Sequence, residues 1–433
     1  MRAETTTEPG RLRVIGAALA ALVLAFGAVT AWQVSERATA ADDVVNHSQP
    51  LSADAASIYR SLADADTTAA DGFLSGGQWP ADIRERYERD ISTASELLVK
   101  AAANTEGSES ARRRTSELNA QLPRYTGLIE QARANNRQGL PLGGAYLRYA
   151  NQQMRTELLP AARALYEAET GRLGADFEDS RSWPWPALAL GVTALAALGW
   201  AQRRDYRRTN RVFNHGLLVA TASSLVVLLW LAAGHGLARS GLDESRDQGA
   251  ASLHVLNEAR IHSLQARGDE SLTLVARGAV VTEDGEDFYE TAYRSGMRKL
   301  VGRAGGEGSP AGLLGRAEAL ADDPAGRDPV REAVESIRTW QDRHGEAREE
   351  DEAGEYDSAL SKVMGDGRTT GESFDRVDAR LDEALAHEQQ EFTQAADGGR
   401  SALTGLPAGA VILALLAAVA AVLGIGRRLS EYR

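Results

Sequence analysis

The sequence predicts an all-α integral membrane protein with four transmembrane helices and two extracytoplasmic, four-helix-bundle-like domains in tandem. Three observations carry that expectation. Four apolar stretches, Val14 to Val34, Pro184 to Trp200, Val212 to Gly234 and Leu406 to Gly426, each have about the length that a helix needs to cross a bilayer. The long segments between them repeat apolar residues at the helical period and contain no long alternating β-branched run. Charge is also divided unevenly. The short segments hold 11 basic residues (Arg2, Arg11, Arg13, Arg203, Arg204, Arg207, Arg208, Arg211, Arg427, Arg428, Arg433) against 4 acidic ones, whereas the two long segments hold 57 acidic and 37 basic residues.

By the positive-inside rule the arginine-rich pieces are cytoplasmic, which places both termini inside and both long segments outside. The expected order is a cytoplasmic tail (1–13), a span (14–34), an outer bundle (35–183), a span (184–201), a cytoplasmic loop (202–211), a span (212–234), a second outer bundle (235–405), a span (406–426) and a tail (427–433). None of these cytoplasmic pieces is long enough to fold as a catalytic domain. A rival reading of the first stretch is a cleaved signal peptide, since Ala38-Thr39-Ala40 resembles a processing site. The run from Val14 to Trp32 exceeds a usual signal core, so a retained span is expected.

The net charge is −13, lysine is confined to Lys100, Lys299 and Lys362, and cysteine is absent. Thiolate metal sites, disulfides and a lipid-modified cysteine are thereby excluded. An internal repeat is visible at an offset of about 200: Arg13-Val14 with Trp32 recurs as Arg211-Val212 with Trp230, and Ile58, Asp66 and Thr68 recur as Ile261, Asp269 and Ser271. Tyr87-Glu88 likewise recurs as Tyr289-Glu290.

In the first long segment, Ile58, Leu62, Ala65, Ala69 and Phe73 form one helical stripe that Gly76-Gly77 ends. A second helix opens near Pro80 with Ile83, Tyr87, Ile91 and Leu98 as its stripe. A third runs from about Ser108 to Asn136, where Pro123 should kink or divide it, and a fourth from Gly144 towards Trp183 is interrupted at Pro160. The second segment should open with a long helix from Gly236 to Val281. A glycine-rich turn at Gly302 to Gly308, a charged helix from Pro329 to Glu352 and a last helix from Gly371 to Gln394 follow.

Catalytic signatures are missing. There is no Walker lysine motif and no H-E-x-x-H, and the glycine-rich turn lacks the strand-then-helix setting of a dinucleotide loop. His387-Glu388 resembles the start of a histidine-kinase phosphoacceptor box but has no ATP-binding domain to serve it. His254, Glu258 and His262 share a helix face, yet the outer two are separated by about 12 Å along the axis and cannot ligate one ion. The sequence therefore predicts no enzyme, no catalytic residue, no cofactor, no metal and no nucleic-acid partner. The spans carry no ionisable residue in their interiors, which argues against transport. Small residues such as Gly16 with Ala20 and Ala410 with Ala414 suit close packing among the spans or against a second copy of the chain.

Candidate contact residues come from the opening helices. Asp66 lies roughly 80° around the helix from Ile58, and Asp269 holds the same angle to Ile261, so each sits at the edge of an apolar stripe. A carboxylate there needs a donor, and Arg86, Arg89 or Arg277 are the expected partners. Asp66, Asp269, Arg86 and Arg277 are thus the predicted ligand or partner contacts. Asp64 points off the stripe and reads as solvated. The apolar cores should be filled by their own side chains, leaving no small-molecule pocket.

The strings IYRSLADADTTAADGFLSGG (Ile58 to Gly77), IRERYERDI (Ile83 to Ile91), NRQGLPLGGAYLRYANQQMRTELLPAARALY (Asn136 to Tyr166) and DESLTLVARG (Asp269 to Gly278) resemble actinobacterial membrane proteins encoded beside a soluble serine/threonine kinase, protein kinase G, and a glutamine-binding lipoprotein. The resemblance implies a tandem four-crossing sensor: a lipoprotein captures amino acid outside, the membrane protein responds, and the kinase pathway adjusts metabolism inside. It carries no ligand-contact motif and assigns no binding residue. The alternative of a different class is an envelope scaffold that organises a membrane complex without transmitting a signal.

Overall fold

The computed structural model describes residues 8–104, 108–209, 214–302, 312–365 and 367–430. The glycine-rich turn after Gly302 lies outside the described residues, as do Arg2, Arg211 and Arg433. In chain order the α-helices are α1 (Glu8–Asp43), α2 (Gln49–Leu74), α3 (Ala81–Ala103), α4 (Glu109–Arg137), α5 (Leu142–Gln153), α6 (Leu159–Arg181), α7 (Trp185–Thr209) and α8 (His215–Glu244). They continue as α9 (Ala251–Ala276), α10 (Phe288–Val301), α11 (Leu313–Leu320), α12 (Pro324–Glu352), α13 (Tyr356–Met364), α14 (Thr370–Leu403) and α15 (Leu406–Ser430). Short π-helical segments, Val44–Ser48, Met154–Leu158 and Ser245–Ala250, join α1 to α2, α5 to α6 and α8 to α9. Among the described residues the only β-structure is an isolated bridge between Val281 and Asp287.

Local chemistry explains the breaks. Gly76, at φ +96°, takes a left-handed turn that a side chain would strain, and α2 stops just before it. Pro80 caps α3 and Ser108 caps α4 by accepting from the Ala111 amide. Pro123 lies inside α4, which continues through it to Arg137; it neither divides the helix nor shifts its end. Pro160 is accommodated because the preceding turn is π-helical and its wider hydrogen bonding has already left the α register. The long helix expected to reach Val281 ends earlier, at Ala276, with Arg277 in the left-handed region at φ 48°.

The chain divides into two compact units. The membrane unit comprises residues 1–46, 174–244 and 394–433. It contains four helices long and apolar enough to cross a bilayer, carried by α1, α7, α8 and α15. Packing is cyclic: α1 touches α7 and α15, and α8 touches the same two. Leu19, Val23, Leu198, Leu217, Ala417 and Ala421 fill the interior. Outward, Val192, Leu229, Ile412, Leu416 and Leu423 stay exposed, as lipid-facing positions should. Close approach rests on small residues. A Cβ on Gly27 would come within 2.2 Å of Ala414 Cβ, so α1 and α15 touch where the sequence offered Ala410 and Ala414 for packing. At the break between α6 and α7, Arg37 donates to Ser182 O at 2.6 Å, a carbonyl whose helical donor position is Pro186, and to Trp183 O at 3.3 Å.

The large unit comprises residues 47–173 and 245–393. The two long segments, expected as separate bundles, here share one apolar core: Leu62, Leu98, Leu118, Tyr125 and Leu147 from the first are continuous with Ile261, Leu314, Ile337, Trp340 and Leu381 from the second. The join is α2 against α9. Along that seam the Thr67 hydroxyl lies 3.0 Å from Ala63 O and 2.8 Å from Leu264 O, so one helix hydrogen-bonds to the backbone of the other. Gly268 faces Thr67, and a Cβ there would lie 3.2 Å from the hydroxyl oxygen.

This close seam generates a test. Gly268→Val should destabilise the full-length protein in detergent by about 1–3 kcal/mol through overpacking. Gly345→Ala, in the middle of α12 with open space around it, should be neutral or stabilising by up to about 1 kcal/mol. Equal thermal melts for the two variants would show that the seam is not close-packed.

Candidate functional site

The sequence put Asp66 and Asp269 on equivalent edges of two stripes, and the structure brings both into the interior of the large unit. Asp66 is 8% exposed and Asp269 is 4% exposed. Asn151 Nδ2, from α5, donates to Asp66 Oδ2 at 2.6 Å, and the Tyr125 hydroxyl, from α4, donates to Oδ1 at 3.2 Å. Asp269 forms an ion pair with Arg155, which projects from the π-helical turn between α5 and α6. Burial pushes Asp66 up to about 6, against the opposing pull of its two hydrogen bonds and of Arg155. Burial likewise raises Asp269 to about 7; Arg155 opposes the rise and the nearby Asp66 adds to it. Asp269 therefore feels the Asp66 charge, and one guanidinium favours the ionised form of both.

The predicted partners are elsewhere. Arg86 does not reach Asp66: its guanidinium holds Asp64 at 2.8 Å and lies 3.9 Å from Asp378. Arg277 does not reach Asp269: its left-handed backbone turns the side chain onto the Tyr356 ring, 3.7 Å from the centroid. Asp64, expected to be solvated, is half-buried, and burial raises its carboxyl despite Arg86. Asp90 stands beside it, pushed up to about 8 by burial and by the Asp64 charge. Arg155 escaped the sequence reading because it lies in a different helix from either aspartate, and no periodicity links them.

A second polar chain crosses the same interior. Arg267, 2% exposed, pairs with Asp71 across the seam at 3.3 Å and with Glu270 at 2.7 Å. Glu270 accepts from Trp340 Nε1 at 3.1 Å and contacts His344 Nδ1 at 2.9 Å, and His344 Nε2 meets Glu290 at 2.9 Å. Burial opposes charge on His344, but its two carboxylate partners outweigh that and hold it up to about 9. Glu270 and Glu290 are correspondingly held below the usual glutamate value, since His344 and the arginines overcome their burial. Beside this chain opens a cleft of about 1050 Å³ whose walls include Asp64, Asp71, Arg86, Asp90, Arg267 and Asp375. Both halves of the chain contribute to it.

The histidines on α9 do not combine. His254 Nδ1 meets the Tyr166 hydroxyl at 3.1 Å, whereas His262 Nδ1 meets Gln265 at 3.1 Å. Among the described residues, one group has metal-ligand spacing: Asp323, His387 and Glu391, with ligand atoms within 4.8 Å of one another. Asp323 already accepts the Gly326 amide at 2.8 Å as the N-cap of α12, which gives that carboxylate a structural task.

The fold and this buried titratable centre define a class: an all-helical membrane protein whose polar machinery lies in a helical unit built from two chain segments. Residues 40–178 match the family described as actinobacterial sensor domain, a stretch that contains Asp66, Tyr125, Asn151 and Arg155. No curated protein and no solved structure matches the chain. A sensing or signalling role fits that similarity.

The raised carboxyls fix the sign of a pH dependence. A folded carboxyl that binds its proton more tightly than the unfolded one stabilises most below the unfolded value near 3.9. That stability is lost as pH climbs to the folded values. Melts of the full-length protein should therefore show a contribution from this pair that falls between about pH 4 and 7, by on the order of 1–3 kcal/mol per group. Asp66→Asn with Asp269→Asn should flatten that part of the profile, and the difference from wild type removes the contributions of His344 and His262. Asp269→Asn alone should be neutral or stabilising at pH 8, because the carboxyl is raised even with Arg155 beside it and its charged form is therefore disfavoured inside. A double variant with an unchanged pH profile would show that neither carboxyl is raised.

Proposed function

We propose that this protein is a non-enzymatic transmembrane relay that passes extracytoplasmic amino-acid availability, presented by a binding lipoprotein, to a cytoplasmic serine/threonine kinase pathway. The orientation follows the arginines: Arg11 and Arg13 precede the first span, and Arg203, Arg204 and Arg207 follow the second, so both termini face the cytoplasm. The large unit then faces outward, where a lipoprotein can reach it. The connection between α7 and α8 is too short to fold by itself, so the response must reach the kinase through another protein or through the membrane helices.

The observation that carries the reading is the shared core. Both segments of the large unit enclose Asp66 and Asp269, which titrate near neutrality and compete for Arg155. An element that holds two charge arrangements of similar energy is what a relay needs, because an input can bias it without unfolding the protein.

Reporter fusions after Arg208 and Arg433 should behave as cytoplasmic and one at Gly107 as exported; the opposite pattern would overturn the orientation. For the relay, Asp66→Asn or Asp269→Asn in the chromosomal gene should change amino-acid-dependent growth while the variant protein remains folded and inserted. Unchanged growth in both variants, with normal protein levels, would remove the aspartates from the signalling path. Crosslinking of the full-length protein in membranes should capture the lipoprotein in an amino-acid-dependent way, and capture that ignores the amino acid would favour a scaffold.

A further inference from the structure

The apolar interior of the large unit is not completely filled. A cavity of about 240 Å³ opens where α2, α6, α9 and α14 converge. A single water needs roughly 10–15 Å³ by the same measure, so this space admits a molecule of several heavy atoms, while remaining below the usual range for large ligands. Its floor is apolar, with Leu253, Leu385 and Phe392. Its polar groups are unevenly satisfied. Arg60 donates to Ser57 at 2.9 Å but has no carboxylate within ion-pair distance among the described residues. The nearest acids are spoken for: Asp382 and Asp378 both pair with Arg260. Burial, with Arg260 close by, lowers the Arg60 guanidinium to about 10, and Asp382, which also lines the cavity, and Asp378 offset this only in part. Asn257, 8% exposed, spends its amide N–H on Leu253 O at 2.8 Å and leaves its carbonyl oxygen without a donor. A half-buried guanidinium short of an anion and a buried acceptor short of a donor thus line one cavity.

We propose that this cavity binds a small organic carboxylate that also carries a hydrogen-bond donor. Arg60 receives the carboxylate in the two-pronged geometry its planar fork favours, Asn257 accepts from the ligand's N–H or O–H, and Leu253, Leu385 and Phe392 cover the carbon skeleton. The site stands apart from the lipoprotein reading, since it is formed by this chain alone and its occupancy does not depend on any partner. Its position gives it leverage: the lining residues Gln49, Leu173, Ala250 and Phe392 lie close in sequence to the four points where the chain passes between units. Gln49 and Gln389, joined at 2.8 Å, tie the first segment to the second at the same wall.

Three carboxylates of equal carbon number separate the requirements: propionate has no donor, L-lactate has a hydroxyl and L-alanine has an ammonium. With the full-length protein in nanodiscs, calorimetry should give a Kd of about 1 mM or tighter for L-lactate or L-alanine and at least tenfold weaker binding for propionate. The melting temperature should rise by a few degrees at about 100-fold excess over Kd. Arg60→Gln should abolish binding. Because that variant also alters a half-buried position, Ala53→Leu is paired with it: Arg60 is kept, the cavity is filled, and binding should vanish while the ligand-free melt stays near wild type. Binding by none of the three, or undiminished binding in both variants, overturns the site. Equal binding of all three overturns the role given to Asn257.

Discussion

The rest of the large unit depends on how closely α2 and α9 approach. Thr67 reaches the backbone of α9, and Gly268 keeps the approach close, since a Cβ there would lie 3.2 Å from the Thr67 hydroxyl. At that separation water is kept from Asp66, Arg267 and Asp269, each under a tenth exposed, and each charge has to find its counterpart inside the protein. The apolar core holds the helices together; the charges decide which residue stands opposite which. Arg267 meets Asp71 and Ser271 donates to the same carboxylate, so a shift of the two helices along each other would break both contacts at once. Replacing such groups with apolar ones of similar size is often neutral or favourable for stability, which makes register and function better reasons than stability for their presence.

The two buried networks differ in balance. Around His344 the carboxylates Glu270 and Glu290 are met by Arg267, by His344 itself and by Arg294 at 2.6 Å from Glu290, so every acid has a cation and stays ionised. Around Arg155 two carboxylates share one guanidinium. When both ionise, the site carries a net negative charge in a dry interior; when one takes a proton, it is neutral. Burial raises both carboxyls, with the Asp66 charge adding to the rise at Asp269, and one guanidinium does not offset it; the equally buried Glu270 goes the other way because His344 and Arg267 both hold it. The first network fixes the structure and the second can change within it.

The sequence made the membrane helices legible because lipid imposes one rule along the whole span, and apolar length reports it directly. Helix boundaries at Gly76, Pro80 and Ser108 were legible for a similar reason: turn and cap chemistry is local. The burial of Asp66 and Asp269 could be inferred from their angle to an apolar stripe, but their partners could not. Arg86 and Arg277 were basic residues available within about twenty positions of the aspartates, whereas Arg155 reaches Asp269 from a turn 114 residues away. The His344 network was hidden more thoroughly. From Ala266 to Leu274 every residue of α9 is buried, Arg267 and Glu270 included, so the polar pattern of this stretch resembles that of a solvated helix. Periodicity assumes that one side of a helix meets water; the stretch of α9 from Ala266 to Leu274 has no such side, because both segments of the chain pack around it.

The same wrapping explains the cavity at Arg60. Four helices that each serve two purposes, closing the core and leading towards a membrane span, cannot all pack optimally at their convergence, and α2 offers only small or short side chains there, among them Ser52, Ala53, Ala56 and Ser57. A pocket filled by larger apolar residues would be more stable, with no reason to keep a guanidinium that burial and Arg260 disfavour. A ligand can bias a protein only by binding one arrangement more tightly than another. A carboxylate at Arg60 meets this condition wherever a change in the spacing of α2, α6, α9 and α14 separates Arg60 from Asn257, because a small anion must touch both to gain from either. The partly compensated cation, the empty space and the small side chains are then one feature: a core left incomplete at the place where completing it from outside changes the relation between the helices.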